Sequence, residues 1–257
     1  METDPWGQPT KGDYAPFITV QESGSQGTLS TIHSLLTGRE HDYLSEGEAT
    51  LHRVSELCWD VEDIREQYPL LPVDRTVALA KQLGLPHPGT KSDPHPLTID
   101  LLISVRVRGS DQLRYVARSV KYWRRQVPKK DIRRAALEEA ACRMLGIHSW
   151  KLATQNELPE DLQLRTKFLY FEVGHATSWQ PPAITSFLKA LSNCDFRETL
   201  YKILRERVAN LTGLTADESV RLFRYLVVTR RLKVDLRAPI ELPSPHPFLA
   251  TNFTLGK

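Results

Sequence analysis

Hydrophobic and polar positions change period several times along this chain, and each change marks an element. Residues 1–43 hold no sustained period; turn formers at Gly24–Gly27 and Thr37–Gly38 surround a short strand-like run, Phe17–Gln21. Helical spacing begins at Ser45, where Ser45 and Glu48 form an S-x-x-E capping box. Leu51, Val54 and Cys58 then make one apolar face. Val61–Leu70 ends against Pro69 and Pro72, Val73–Gly84 predicts a short helix stopped by glycine, and Pro86–Pro96 is a proline-rich loop. Leu97–Ile103 is an apolar strand, Val105–Arg108 alternates, and Gly109–Ser110 marks a turn. Gln112–Tyr122 returns with Leu113, Tyr115, Ala117, Ser119 and Lys121 on one face. Asp131 is a cap for a helix running through Leu137 and Met144 to Gly146, and His148–Thr154 is a further strand. Helix, hairpin, helix and strand in this order predict an α/β core.

Composition shifts near Asn156–Gln163, which divides the chain into domains over 1–160 and 161–257. The second part turns helical, with Thr185–Leu191, Phe196–Ala209 and, after a turn at Thr212–Gly213, a helix opened by a second capping box, Thr215 to Glu218. That last helix points Val220, Phe223, Leu226 and Val227 inward, leaving Arg221, Arg224, Arg230 and Arg231 outside, for DNA or for solvent. Leu232, Val234 and Leu236 alternate as a strand, so the pattern is that of a winged helix-turn-helix. The final twenty residues, rich in proline, read as extended.

Bulk properties narrow the field a little. Hydrophobic content of 40% with 25% charged residues describes a soluble globular protein, and no apolar run is long enough to span a bilayer. The amino terminus has no basic stretch before an apolar core, so a secretory signal is not expected and the cytoplasm is. Cys58, Cys142 and Cys194 show no CxxC spacing and read as three buried, reduced thiols. The net charge of +3 is a mild tilt toward polyanions. Its distribution says more: seven of the fourteen residues Lys121–Arg134 are Lys or Arg, as a solvated face or a phosphate-contacting surface would require.

The hairpin supplies candidate chemistry. A turn at Gly109–Ser110 sets Asp100 opposite Ser119 and diagonal to Lys121, roughly 7–8 Å away; a four-residue loop sets Asp100 opposite Lys121 itself. Either register puts the three on one face. Asp100 inside an apolar strand needs a partner, which a cross-strand ion pair or a metal would supply. Glu48 likewise reads as a helix cap or a ligand.

Several ordered motifs resemble the TnsA family, the endonuclease subunits of heteromeric bacterial transposases. They are LSEGE (44–48), VEDIREQYPLLP (61–72), DYAPFITVQE (13–22), LGLPHP (83–88), LTIDLLI (97–103) and SVK (119–121). The resemblance implies a restriction-endonuclease-like catalytic core followed by an α-helical winged-helix C-terminal domain. It also implies Mg²⁺-dependent hydrolysis (Mn²⁺ substituting) at the 5′ ends of the mobile element. Carried over, Glu48, Asp100 and Lys121 are catalytic, and Glu48, Asp100, Ser119 and the Val120 carbonyl hold the metal. Ser119 stands where the family commonly has Gln. Glu138 falls where the family has another acid, and Arg65, Glu66 and Gln67 organise the strand behind the site or meet DNA. The implied partners are double-stranded transposon ends, a TnsB-type transposase cutting the 3′ ends and a TnsC-type AAA+ ATPase, with no membrane. A stand-alone restriction or repair nuclease, and a non-catalytic DNA-binding adaptor, are the competing readings.

Overall fold

Four strands organise the first of the two units into which the chain divides, Met1–Leu158 and Pro159–Lys257. The computed structural model describes residues 2–19, 29–122, 127–173, 179–194, 200–236 and 253–255. Strands β3 (Val61–Leu70), β4 (Leu97–Arg106) and β5 (Leu113–Val120) are antiparallel neighbours, counted after the hairpin β1 (Ser30–His33) and β2 (Glu40–Tyr43). β6 (Ser149–Ala153) lies parallel to β5, so the sheet is mixed. A parallel step needs a crossover, and α3 (Lys129–Met144) makes it. On that side of the sheet Tyr68, Leu70, Leu97, Ile99, Leu102 and Ala117 pack against Leu137, Ala141 and Cys142 of α3 and Ala80 of α2 (Val73–Leu83). α1 (Glu46–Glu56) and the β1–β2 hairpin cover the other side.

That second layer departs from the hydrophobic pattern. The buried side of α1 carries Glu48, His52, Arg53 and Glu56, whereas Leu51 and Val54 are half-buried and Cys58 is exposed. The inversion is stable because each buried polar group has a partner. His52 donates from Nε2 to Glu56 (3.0 Å) and accepts from the Tyr43 hydroxyl (2.5 Å), and Ser34 donates to Glu56 (2.9 Å). Arg39 clamps Glu66 with two bonds of 2.6 and 2.7 Å, and His41 Nδ1 lies 2.8 Å from the same carboxylate. Burial raises the Glu66 pKa, but the bonds from Arg39 and His41 outweigh it and hold it at about 2.

Other expectations also shift. Phe17 and Ile18 form a bend rather than a strand, and Val20 and Gln21 lie outside the described residues. Pro128, not Asp131, is the N-cap of α3. The β4–β5 turn spans residues 108–111: Val107 N–H donates to the Gln112 carbonyl (2.9 Å), with Gly109 at φ +78°. The pairing from Leu101↔Arg118 to Arg106↔Leu113 is nonetheless the register of a turn centred on Gly109–Ser110, because the loop centre rather than its length fixes it. Cys142 alone of the three thiols is buried; Cys194 is half-buried.

In the second unit α4 (Glu160–Tyr170) and α5 (Pro181–Ser192) precede α6 (Leu200–Lys202), which passes through a π-helical stretch, Ile203–Val208, into α7 (Ala209–Thr212). α8 (Ala216–Val228) begins with both halves of the Thr215–Glu218 capping box and buries Val220, Phe223, Leu226 and Val227. Arg224 is not outside: its guanidinium lies 4.4 Å from the centre of the Phe168 ring. β7 (Leu232–Val234) pairs with β8 (Phe253–Leu255), and the rest of the tail beyond Leu236 lies outside the described residues. Among the described residues no helix is long and apolar enough to cross a membrane.

The Arg39–Glu66 pair yields a stability prediction. Arg39→Met leaves the Glu66 carboxylate buried with two of its three bonds gone, which costs roughly 3–5 kcal/mol. Urea unfolding of the variant against wild type reads this directly; a loss below about 1 kcal/mol would show the pair to be dispensable.

Candidate active site

β3 and β4 break their alternation at the same level of the sheet. On β3, Arg65 lies beside Tyr68 (5.0 Å to the ring centre) on the α3 side, although the two are three positions apart. On β4, Ile99 and Leu102 share the α3-side core at the same odd spacing. Tyr68↔Ile99 and Glu66↔Leu101 are paired, but Gln67 and Asp100 between them are not. Gln67 has φ +44°, a left-handed conformation that costs a side-chain-bearing residue on the order of 1 kcal/mol or more. The result is that Gln67 and Asp100 both turn toward α1.

α1 supplies the next group. Ser45 caps the helix, its Oγ accepting the Glu48 N–H at 3.3 Å, while the Glu48 carboxylate accepts the Ser45 hydroxyl (2.7 Å) and the Leu44 N–H (3.2 Å). The cap therefore aims the carboxylate and also satisfies part of it. Gln67 Nε2 reaches the same carboxylate at 3.3 Å. The first turn of α1 can come this close to β5 because residue 47 is glycine: a Cβ there would lie 2.8 Å from Val120 Cγ1. Asp100 Oδ2 accepts the Val120 N–H at 2.7 Å and lies 3.9 Å from Lys121 Nζ. Ser45, Glu48, Gln67, Asp100, Val120 and Lys121 thus line one cavity of about 370 Å³.

Its electrostatics are unbalanced. Burial, then the Asp100 charge, push the Glu48 pKa up to about 7. Asp100 first, with Glu138 and Glu48 behind it, raises Lys121, so the ammonium is charged across the neutral range. Among the described residues no group of three or more His, Cys, Asp or Glu is arranged to hold a metal. The groups that do converge are two carboxylates, the Gln67 amide and the Lys121 ammonium, which leaves one excess negative charge in a small polar cavity when both acids are ionised. Such a set fits a hard divalent cation that keeps several of its waters, as Mg²⁺ does.

Ser119 does not join them. Its hydroxyl donates to Glu138 Oε2 on α3 (2.6 Å) and accepts from Trp150 Nε1 (3.3 Å), with 2% of the residue exposed. The expectation that Asp100, Ser119 and Lys121 share a face fails because Asp100 departs from the alternation. Glu138 is held by Ser119 and by Arg134 (2.6 Å) on the α3 side, and burial raises its pKa. Gln67 is the group that spacing could not single out, since only its unusual backbone brings it to Glu48. Arg65 is buried against Asp4 and Glu66 against Arg39, so neither is available to DNA.

No protein-family model matches the chain. Over 100 residues it is 39% identical to the transposon Tn7 transposition protein TnsA of Escherichia coli. The matched stretch is 39% of this chain and spans 36% of that protein, about a third of its length. Across that stretch the chain is TnsA-like.

Two outcomes follow from the geometry. A folded-state pKa raised to about 7 favours folding fully below the usual carboxylate range, and that contribution is lost as pH rises through 7. In metal-free protein Glu48→Gln should therefore raise the melting temperature at about pH 8, by on the order of 2 kcal/mol of stability, and change little at about pH 5. Equal effects at both pH values would contradict the assignment. Ser119→Ala should cost about 1–2 kcal/mol by stripping a donor from buried Glu138. It should leave the Glu48 titration, followed by NMR, where it was; a displaced titration would return Ser119 to the cavity.

Proposed function

We propose that this chain is the DNA-cutting endonuclease subunit of a cut-and-paste transposase, hydrolysing a phosphodiester at the 5′ ends of the mobile element. One observation carries the reading: a carboxylate from α1, a carboxylate from β4 and a lysine at the end of β5 meet at one cavity. Similarity to a transposition protein supports the biological setting.

Glu48 and Asp100, with the Val120 backbone carbonyl, would hold Mg²⁺ or Mn²⁺; Ser119 drops out of the set. Bound there, the ion supplies Lewis-acid chemistry, activating a water and offsetting charge on the phosphoryl group. Lys121 is charged at neutral pH and directed at Asp100, so its ammonium is available to neutralise charge that develops on a phosphate oxygen. Gln67 fixes the Glu48 carboxylate through its amide, and the Val120 N–H fixes that of Asp100. The positioning is thus done by groups that do not titrate.

Double-stranded transposon ends are the substrate, a TnsB-type transposase cuts the 3′ ends, and a TnsC-type AAA+ ATPase regulates the assembly in the bacterial cytoplasm. The second unit is read as the winged-helix domain, supported by α8 running into the β7–β8 pair.

The test is strand-specific cutting by the reconstituted complex. Asp100→Ala should lower 5′ cutting by on the order of 10²-fold or more while 3′ cutting persists, so that cointegrates replace simple insertions. Undiminished 5′ cutting would remove Asp100 from the active site.

A further inference from the structure

β5 and β6 carry an unbalanced pair of charges beside the cavity. Arg118 and Lys151 are register partners on adjacent parallel strands, so their side chains leave the sheet side by side. Like charges so placed repel. Among the described residues no carboxylate pairs with either, nor with Arg114 four residues before Arg118 on the same face; Arg118 donates only to its neighbour's carbonyl, Ala117 O, at 2.7 Å. Arg118 is half-buried, and Lys151 and Arg114 are exposed. Their face is settled by their neighbours: Ala117 and Ser119 point to α3, whereas Val120, two residues after Arg118, meets the first turn of α1 and lines the cavity. At strand spacing Arg118 lies roughly 7 Å along β5 from Val120, about one nucleotide step. Unlike the basic residues at the start of α3, this row runs along a rigid sheet straight into the cavity.

We propose that Arg118 and Lys151, with Arg114 behind them, form a phosphate clamp that holds the DNA backbone beside the bond to be cut. The proposal rests on the endonuclease reading for its geometry and names the residues that fix the strand. A polyanion is the occupant that relieves the repulsion of the pair, and a row of cations at strand spacing suits successive phosphates. These are positioning residues, since they act on phosphates flanking the reacting one.

The experiment measures binding of the full chain to a short DNA duplex by fluorescence anisotropy over a range of salt concentrations. Each phosphate contact contributes about 0.9 to the slope of log K against log salt. Arg118→Gln/Lys151→Gln should lower the slope magnitude by about two and should melt no lower than wild type, because a repulsive pair is relieved. Arg75→Gln/Lys81→Gln removes the same charge from exposed positions on α2, on the opposite side of the sheet, and should leave the slope unchanged. The clamp is overturned if the first pair of substitutions leaves the slope intact, if the second pair lowers it equally, or if the wild-type chain binds duplex without salt dependence. Strand cutting separates the two proposals. An unchanged slope with 5′ cutting still lost in Asp100→Ala removes the clamp and keeps the nuclease. A reduced slope with 5′ cutting intact in Asp100→Ala keeps the clamp and removes the proposed active site.

Discussion

A β-strand sends alternate side chains to opposite faces, and in this protein two adjacent strands miss one beat at the same level. Glu66 and Gln67 on β3, and Asp100 and Leu101 on β4, each turn two consecutive residues toward α1. Without that slip Asp100 would face α3 with Ser119, and Glu48 would have no second carboxylate beside it. The slip is maintained by bonds that a regular ladder would not need: the Val120 N–H is taken by the Asp100 side chain, and the Gln67 carbonyl by the Phe17 N–H at 3.3 Å. Backbone strain at Gln67 is therefore the structural counterpart of the site's geometry, and it sits where the site is rather than elsewhere in the sheet.

The two buried acids on this side of the sheet make an instructive contrast. Glu66 receives a bidentate guanidinium and an imidazole and stays ionised far into acid. Glu48, about as buried, receives two neutral backbone and amide donors and a hydroxyl, and faces another carboxylate. One is solvated by the protein; the other is left short of positive charge. A stable fold needs the first kind, and a cation site needs the second. The polar interior of α1 and the β1–β2 hairpin serves both, since it anchors the layer that presents Glu48 without filling the cavity.

Much of this was legible in the sequence, and the illegible part has a common cause. The β4–β5 pairing could be read because its apolar residues and its glycine turn agree on the same centre, and α2 and α8 could be read because their caps are local. The inward face of α1 could not, because His52, Glu56 and Glu48 are buried by partners on β2, β3 and the Ser34 loop, far away in sequence. Periodicity weighs each residue's solvation alone, so it pointed Leu51 and Val54 inward. Glu48, Asp100 and Lys121 were reachable as residue types; that Gln67 belongs with them and Ser119 does not depends on a left-handed φ that no spacing rule contains.

Charge around the cavity is as uneven as charge within it. Cations border it on two sides: Lys121 at its edge, and Arg118 and Lys151 beside it on β5 and β6. Among the described residues only Lys121 of these has a carboxylate in ion-pair range, so the charge of Arg118 and Lys151 is left unneutralised. Two carboxylates deficient in cation charge, bordered by cations deficient in anion charge, form one arrangement that a metal ion and a phosphodiester would satisfy together. Each alone answers half of it. A divalent ion would relieve Glu48 and leave Arg118 and Lys151 repelling each other, and a DNA strand would do the reverse. The proposed metal ion and the proposed DNA strand therefore answer different parts of one charge pattern, and the endonuclease reading calls on both.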